Sequence, residues 1–219
     1  MRPALTSLLR AFEAWCLPSA CLACALPAEP ALGLCAPCRA ELRVPAKPLG
    51  SVLDGLDVDV HAALAYDPAS APLLTRYKFH ADLAAGRALG VLALPTLRAA
   101  PRPDALVAVP LHRSRLRQRG HDQALGLARD WGRAMRLPVL PGLLQRVRAT
   151  RPQTELHAEE RQRNLEGAFL ASGPCPAHVA LVDDVLTTGR TAAAAVQALR
   201  GAGARRVDVW VVAQAARAK

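Results

Sequence analysis

Residues 179–191 read Val-Ala-Leu-Val-Asp-Asp-Val-Leu-Thr-Thr-Gly-Arg-Thr, and no other stretch limits the fold as tightly. Val179 to Val182 is apolar without alternation and β-branched at both ends, which predicts a strand buried on both faces. Thr191 through Leu199 is rich in alanine and free of breakers, which predicts a helix. The turn between them then stands at the carboxyl end of a strand and at a helix N-terminus. The first N–H groups of a helix lack intrahelical partners and the dipole there is positive, so the turn suits a phosphate.

Asp183 and Asp184 sharpen this reading. Two carboxylates beside a phosphate cradle repel the phosphate unless something else uses them. A sugar with two vicinal hydroxyls uses them as acceptors, and a bound Mg²⁺ offsets their charge. The stretch therefore describes a site for a ribose 5-phosphate. Asp183 and Asp184 are expected to face the ribose hydroxyls, directly or through metal-bound water. Thr187, Thr188, Gly189, Arg190 and Thr191 are expected to wrap the 5-phosphate, with Gly189 allowing close approach or a positive φ. The plainer alternative is a solvated strand end, which leaves the hydroxyl cluster accidental. A Walker pattern needs a Lys before Ser/Thr, and none stands here. Gly201-Ala-Gly203 follows a helix and lacks a third glycine, so it reads as a helix C-cap rather than a dinucleotide fingerprint. The segment resembles the phosphoribosyl-pyrophosphate (PRPP) motif of type I phosphoribosyltransferases: apolar residues, two acids, then Thr-Thr-Gly-x-Thr.

The 219 residues suffice for one α/β domain plus a small module. The expected boundaries are 1–48 for an N-terminal helix and cysteine module and 56–219 for the α/β domain, with Pro45 to Gly55 as linker. No run of about 18 uncharged apolar residues occurs, so no membrane span is expected. Near the N-terminus, Arg10 and Glu13 interrupt what would be a signal-peptide core. Leu5, Leu8, Leu9 and Phe12 instead fall at helical spacing, as an amphipathic helix that packs on the protein. A cytoplasmic location is the expectation. The net charge of +10 is concentrated: residues 98–163 hold fourteen arginines, no lysine and six acids. Genomic bias toward Arg explains the missing lysines but not the clustering. Pyrophosphate is a fitting partner for such a band, and so is a nucleic-acid backbone.

Four of the six cysteines form Cys21-x2-Cys24 and Cys35-x2-Cys38, ten residues apart. Paired knuckles of this kind hold a tetrahedral Zn²⁺ through four thiolates. A disulfide framework is the rival, disfavoured without a secretory signal. Four thiolates leave no open position, so the zinc is structural. Cys16 lies near enough to serve as a substitute ligand, though a buried apolar role suits it better. Cys175, in a Gly-Pro-Cys-Pro loop, is expected to be exposed.

Between module and motif, strands are predicted at 60–66, 105–109 and near 143–147, helices at 82–94 and 121–136, and a last strand at 207–213. Alternation of this kind implies an α/β fold, a mostly parallel sheet with helices on both faces and ligands at the carboxyl ends of its strands. The loop after the second strand carries Arg113, Arg115, Arg117 and Arg119. Extended, they share one face and grip a pyrophosphate; helical, they scatter. Gly120 marks the turn into the next helix, and Asp122 can cap it. Residues 149–164, with Arg151 and Arg161, read as a polar lid over charge.

These elements together resemble the ComF/GntX group of phosphoribosyltransferase-like proteins. The resemblance rests on the cysteine knuckles, Tyr77-Lys78-Phe79, Val109-Pro110-Leu111, Arg119-Gly120-x-x-Gln123-Ala124, Arg151-x-Gln153, Arg161-x-x-Asn164-x-x-Gly167-x-Phe169 and the acid pair. His121-Asp122 stands where the group usually has Phe-Asn. The resemblance implies a phosphoribosyltransferase that binds PRPP with Mg²⁺ through Asp183, Asp184, the Thr187–Thr191 turn, Arg113 and Arg119, under a lid bearing Arg151 and Arg161. It also implies a role in DNA uptake, with single-stranded DNA as a ligand. Two alternatives stand beside transfer: a DNA-binding competence factor whose PRPP site is regulatory or vestigial, and a scaffold for a DNA-uptake helicase. Eight aromatic residues, mostly expected in the core, give a base-stacking platform little support. Tyr77-Lys78-Phe79 reads as a helix end.

Overall fold

The computed structural model describes residues 20–30, 32–45, 53, 56–111, 115–117, 120–147 and 167–216. The N-terminal amphipathic helix, Cys16, Arg113, Arg119, Arg151, Arg161 and the 149–164 lid lie outside the described residues.

Four parallel strands form the central sheet: β1 (Val60–Tyr66), β2 (Ala105–Ala108), β5 (His178–Leu186) and β6 (Arg206–Ala215). Their order across the sheet is β1-β6-β5-β2. Each is a near-continuous apolar run, as strands covered on both faces must be. One face carries α2 (Ala71–His80), α3 (Leu83–Ala99) and α4 (Gln123–Met135). Its core includes Leu73, Tyr77, Leu89, Leu127, Trp131, Val182 and Trp210. The opposite face carries α5 (Arg190–Gly201), with Val179, Leu181, Val196, Leu199, Val209 and Val211 buried beneath it. The α/β reading with helices on both faces is thus observed, and every strand of the sheet ends on the same edge.

The predicted strand near 143–147 exists but stands outside that sheet. It is β3 (Leu144–Arg146), paired antiparallel with β4 (Phe169–Ala171). Only Leu144 and Phe169 face inward while Gln145 and Leu170 are exposed, a one-sided pattern that suits a ribbon at the flank of a core. The free side of β2 is covered instead by residues 138–140: Leu106 donates to Pro138 O at 2.9 Å and accepts from Leu140 N–H at 2.9 Å.

Two sequence readings need correction. The proposed linker contributes to the core, because Leu53 is buried and exchanges hydrogen bonds with Leu56. Cys175 is half-buried against the α5 core rather than exposed, and burial pushes its thiol pKa up. Two readings hold. Asp122 caps α4, accepting from Leu125 N–H at 2.9 Å. Gly203, beyond the end of α5, takes a φ of 105°.

The amino edge of the sheet carries a compact charge cluster. Asp208 on β6 is buried, bound by Arg206 Nε at 2.8 Å and His178 Nε2 at 3.1 Å, with His61 Nε2 at 3.7 Å. Burial pushes this carboxyl up, but His61, Arg206 and His178 outweigh it and hold the pKa at about 2. This cluster ties β1, β5 and β6 together at the end remote from the turn between β5 and α5.

Candidate sugar-phosphate site and metal centre

The acid pair lies inside β5 rather than past its end. β6 runs on to Ala215 and pairs with Val185 and Leu186, so the strand continues two residues beyond Asp184. Asp184 is buried and Asp183 half-buried. Asp183 Oδ1 accepts from Asp184 N–H at 2.8 Å, and Asp184 Oδ1 accepts from Val185 N–H at 2.8 Å. Burial and the neighbouring Asp184 together push the Asp183 carboxyl up to about 7, with Lys78 pulling against them. A like charge beside a partly buried carboxyl has this effect.

The turn after the pair is built for close approach. Thr187 and Thr188 are exposed. Gly189 takes a φ of 80° and serves as N-cap of α5 with no side-chain cap bond. The leading N–H groups of α5 therefore lack a side-chain acceptor from the cap residue, which leaves the helix end suited to an anion. Arg190 and Thr191 open the helix, and a buried guanidinium nitrogen of Arg190 has no hydrogen-bond partner among the described residues. Leu53 packs under the turn: a Cβ on Gly189 would stand 2.5 Å from its Cδ2.

The loop after β2 opens on the same edge, with Val109 N–H bonded to Val182 O at 2.9 Å. Within it, residues 115–117 are helical, and Gly120 N–H bonds back to Leu116 O at 2.9 Å. Arg115 and Arg117 thus take the scattered arrangement rather than one extended face. Gly120 turns the chain with a φ of 72°.

Two cations near the acids escaped sequence reasoning. Arg146 ends β3 with its guanidinium 5.4 Å from the centre of the Phe169 ring. Burial holds its pKa below the ordinary value, Arg115 pushes the same way, and Asp183 pulls against both. Three groups from β3, the β2 loop and β5 thus share one electrostatic environment. Lys78, near the end of α2, places its ammonium 3.4 Å from Asp184 Oδ1. Sequence signals local spacing well, but these contacts join residues far apart in the chain.

Lys78 is carried on a fixed helix end. Tyr77 OH donates to Gln123 O at 2.8 Å, His121 Nε2 donates to Tyr77 O at 3.0 Å, and the Gln123 side-chain amide donates to Lys78 O at 3.1 Å. Tyr77 itself lies against Gly86 and Gly126, where a Cβ would come within 2.4 and 2.8 Å of its ring and hydroxyl. The segment resembling the Arg-Gly-x-x-Gln-Ala motif thus anchors the Tyr-Lys-Phe segment.

The four cysteines converge as well. The sulfurs of Cys21, Cys24, Cys35 and Cys38 all lie within 4.8 Å of one another, and all are free thiols. Zn–S bonds of about 2.3 Å in a tetrahedron set sulfurs about 3.8 Å apart, so the cluster fits that ion and not a pair of disulfides. Cys24 Sγ and Cys35 Sγ stand at 3.6 Å. Burial pushes the Cys21 thiol up, but the N–H groups of Cys35, Cys24 and Ala23 outweigh it and bring the pKa to about 6, favouring a thiolate ligand. A short helix, α1 (Ala36–Glu41), follows the third cysteine. Cys21, Leu32, Leu34 and Cys35 share the core beneath α2 and α3, and Arg76 of α2 donates to Leu22 O.

No family model matches the chain. Individual relatives match over most of the chain. Competence protein F of Haemophilus influenzae is 35% identical over 153 residues, covering 65% of this chain and 67% of that protein. The DNA utilization protein YhgH of Salmonella typhi is 32% identical over 199 residues, covering 87% of this chain and 88% of that protein. The chain belongs to the ComF family. The YhgH protein of Escherichia coli K12 is 36% identical over 152 residues. Membership in the ComF family agrees with the four-cysteine cluster standing before a parallel α/β sheet. Among the described residues no helix is long and apolar enough to cross a membrane.

Proposed function

We propose that this ComF-family protein acts in DNA uptake and binds ribose 5-phosphate or PRPP at the turn between β5 and α5, as a phosphoribosyltransferase whose acceptor is unidentified. The uncapped, glycine-led N-terminus of α5 directly after two adjacent carboxylates carries this reading. The leading N–H groups of α5, with Thr187, Thr188, Arg190 and Thr191, would hold the 5-phosphate. Asp183 and Asp184 would accept from the ribose hydroxyls and stabilise the sugar as positive charge develops at its anomeric carbon. Arg146 and Arg115, with Arg113 and Arg119 on the same loop, would take up the leaving pyrophosphate; Arg151 and Arg161 would close over it. Mg²⁺, when present, would supply charge neutralisation to the pyrophosphate oxygens. The zinc module at residues 20–41 is placed by this reading as the acceptor-side hood.

A DNA-binding role has its own support in the concentration of fourteen arginines within residues 98–163. In that reading the same loop follows a nucleic-acid backbone.

The test is calorimetric titration of PRPP into the wild type and Asp183→Asn. The substitution is expected to weaken binding by about 1–3 kcal/mol, the scale of a lost hydrogen bond to a charged group. Wild-type affinity should also climb as pH rises through about 7, where Asp183 becomes an ionised acceptor, and the variant should lose that step. Equal affinities for both proteins would exclude the acids from the site.

A further inference from the structure

The acid pair already has a cation. Lys78 stands 3.4 Å from Asp184 Oδ1, and that oxygen also accepts Val185 N–H, while Asp183 Oδ1 accepts Asp184 N–H. This donor set does not fit a chelated divalent ion: an ammonium already stands at Asp184, and like charge keeps a second cation from the same oxygen. The position of Lys78 is imposed rather than incidental. Three hydrogen bonds from Tyr77, His121 and Gln123 fix the end of α2, and two glycines make room for the Tyr77 ring. Its charge type is unusual too. The chain has three lysines against twenty-five arginines, and one of the three stands here. A compact ammonium resembles a metal ion more closely than a planar guanidinium fork does.

We propose that Lys78 is the resident counter-cation of the aspartate pair, a positioning residue that does the neutralising work otherwise left to a divalent ion at the ribose end of the site. The inference rests on the sugar-phosphate reading above. It assigns the divalent ion, where one is used, to the ligand's pyrophosphate and not to the acids. With Lys78 in place the carboxylates keep their geometry beside a phosphate in the absence of metal. Without it, their mutual repulsion and their repulsion of the phosphate require an added cation.

The probe is ribose 5-phosphate, which lacks a pyrophosphate to carry metal. Zinc-loaded wild type and Lys78→Met are titrated by calorimetry, each in millimolar Mg²⁺ and in metal-free buffer made with a chelating resin. The expected result is wild-type affinity that agrees within threefold between the two buffers. Lys78→Met should bind at least tenfold more weakly without Mg²⁺ and recover most of that loss with it. Wild type that binds only with Mg²⁺ overturns the inference while leaving the sugar-phosphate site intact, and this arm does not depend on the variant folding. A Lys78→Met protein that matches wild type in both buffers also overturns it. Wild type that binds ribose 5-phosphate in neither buffer sinks the site reading itself, and the inference with it.

Discussion

A strong chelator is expected to remove one Zn²⁺ per chain and to take the Cys21–Glu41 region out of its folded form. Without the ion the four sulfurs, all within 4.8 Å of one another, take up protons and lose the bonds that tie the two knuckles together. Beyond the buried Cys21, Leu32, Leu34 and Cys35, the segment has little else to hold it: α1 buries none of its residues, and the turns around Cys24 are exposed. Structural zinc in small peptides is worth about 10–16 kcal/mol of apparent binding free energy, far above anything these few residues recover by packing. The effect reaches the main domain, because Leu32 and Leu34 share a core with Leu73 and Tyr77 of α2 and with Val182 and Trp210 of the sheet. Melting should therefore fall by roughly 10 °C, as a loss of a few kcal/mol does in a chain of this length. Cys35→Ser should act in the same direction. Metal analysis with a thermal melt decides the matter: a metal-free protein that melts unchanged contradicts the zinc assignment.

Gly189→Ala is expected to damage stability and ligand binding together. Gly189 sits at a φ of 80°, where an L-residue costs about 1–2 kcal/mol. Its new Cβ would also stand 2.5 Å from Leu53 Cδ2, in a buried contact where overpacking costs about 1–3 kcal/mol. The sum, about 2–5 kcal/mol, should appear in a urea melt. Relieving the clash moves the first turn of α5 or pushes Leu53 out, and either displaces the N–H groups offered to phosphate. Binding of ribose 5-phosphate should fall at least tenfold, a loss of about 1.4 kcal/mol. Gly120→Ala is the control. Its φ is 72° but nothing lies within 4 Å of the added Cβ, so it should show the backbone cost alone. Equal effects at the two glycines would mean that Leu53 and the α5 turn have no special standing.

The main sheet was legible because its strands are buried on both faces and so read as unbroken apolar runs; β1 matches its predicted bounds residue for residue. The strand through the acids ran longer than it read, because pairing with β6 overrides the polarity of Asp183 and Asp184. β3 was located but assigned to the wrong sheet, since a three-residue strand carries no signal of its partner. Helix α2 announced itself only at Tyr77-Lys78-Phe79, because Pro72 and a polar middle hide its start. The turn between β5 and α5 was legible as consecutive residues. Lys78 and Arg146 were not, because each meets the acids across the fold rather than along the chain.

The most direct measurement is a titration of ¹⁵N-labelled protein with ribose 5-phosphate, followed by backbone amide shifts. The largest changes should fall on Thr188 to Ala192, where the leading N–H groups of α5 meet the phosphate. A ligand that binds while those amides stay still, and shifts some other surface instead, would contradict a phosphate seat at the head of α5.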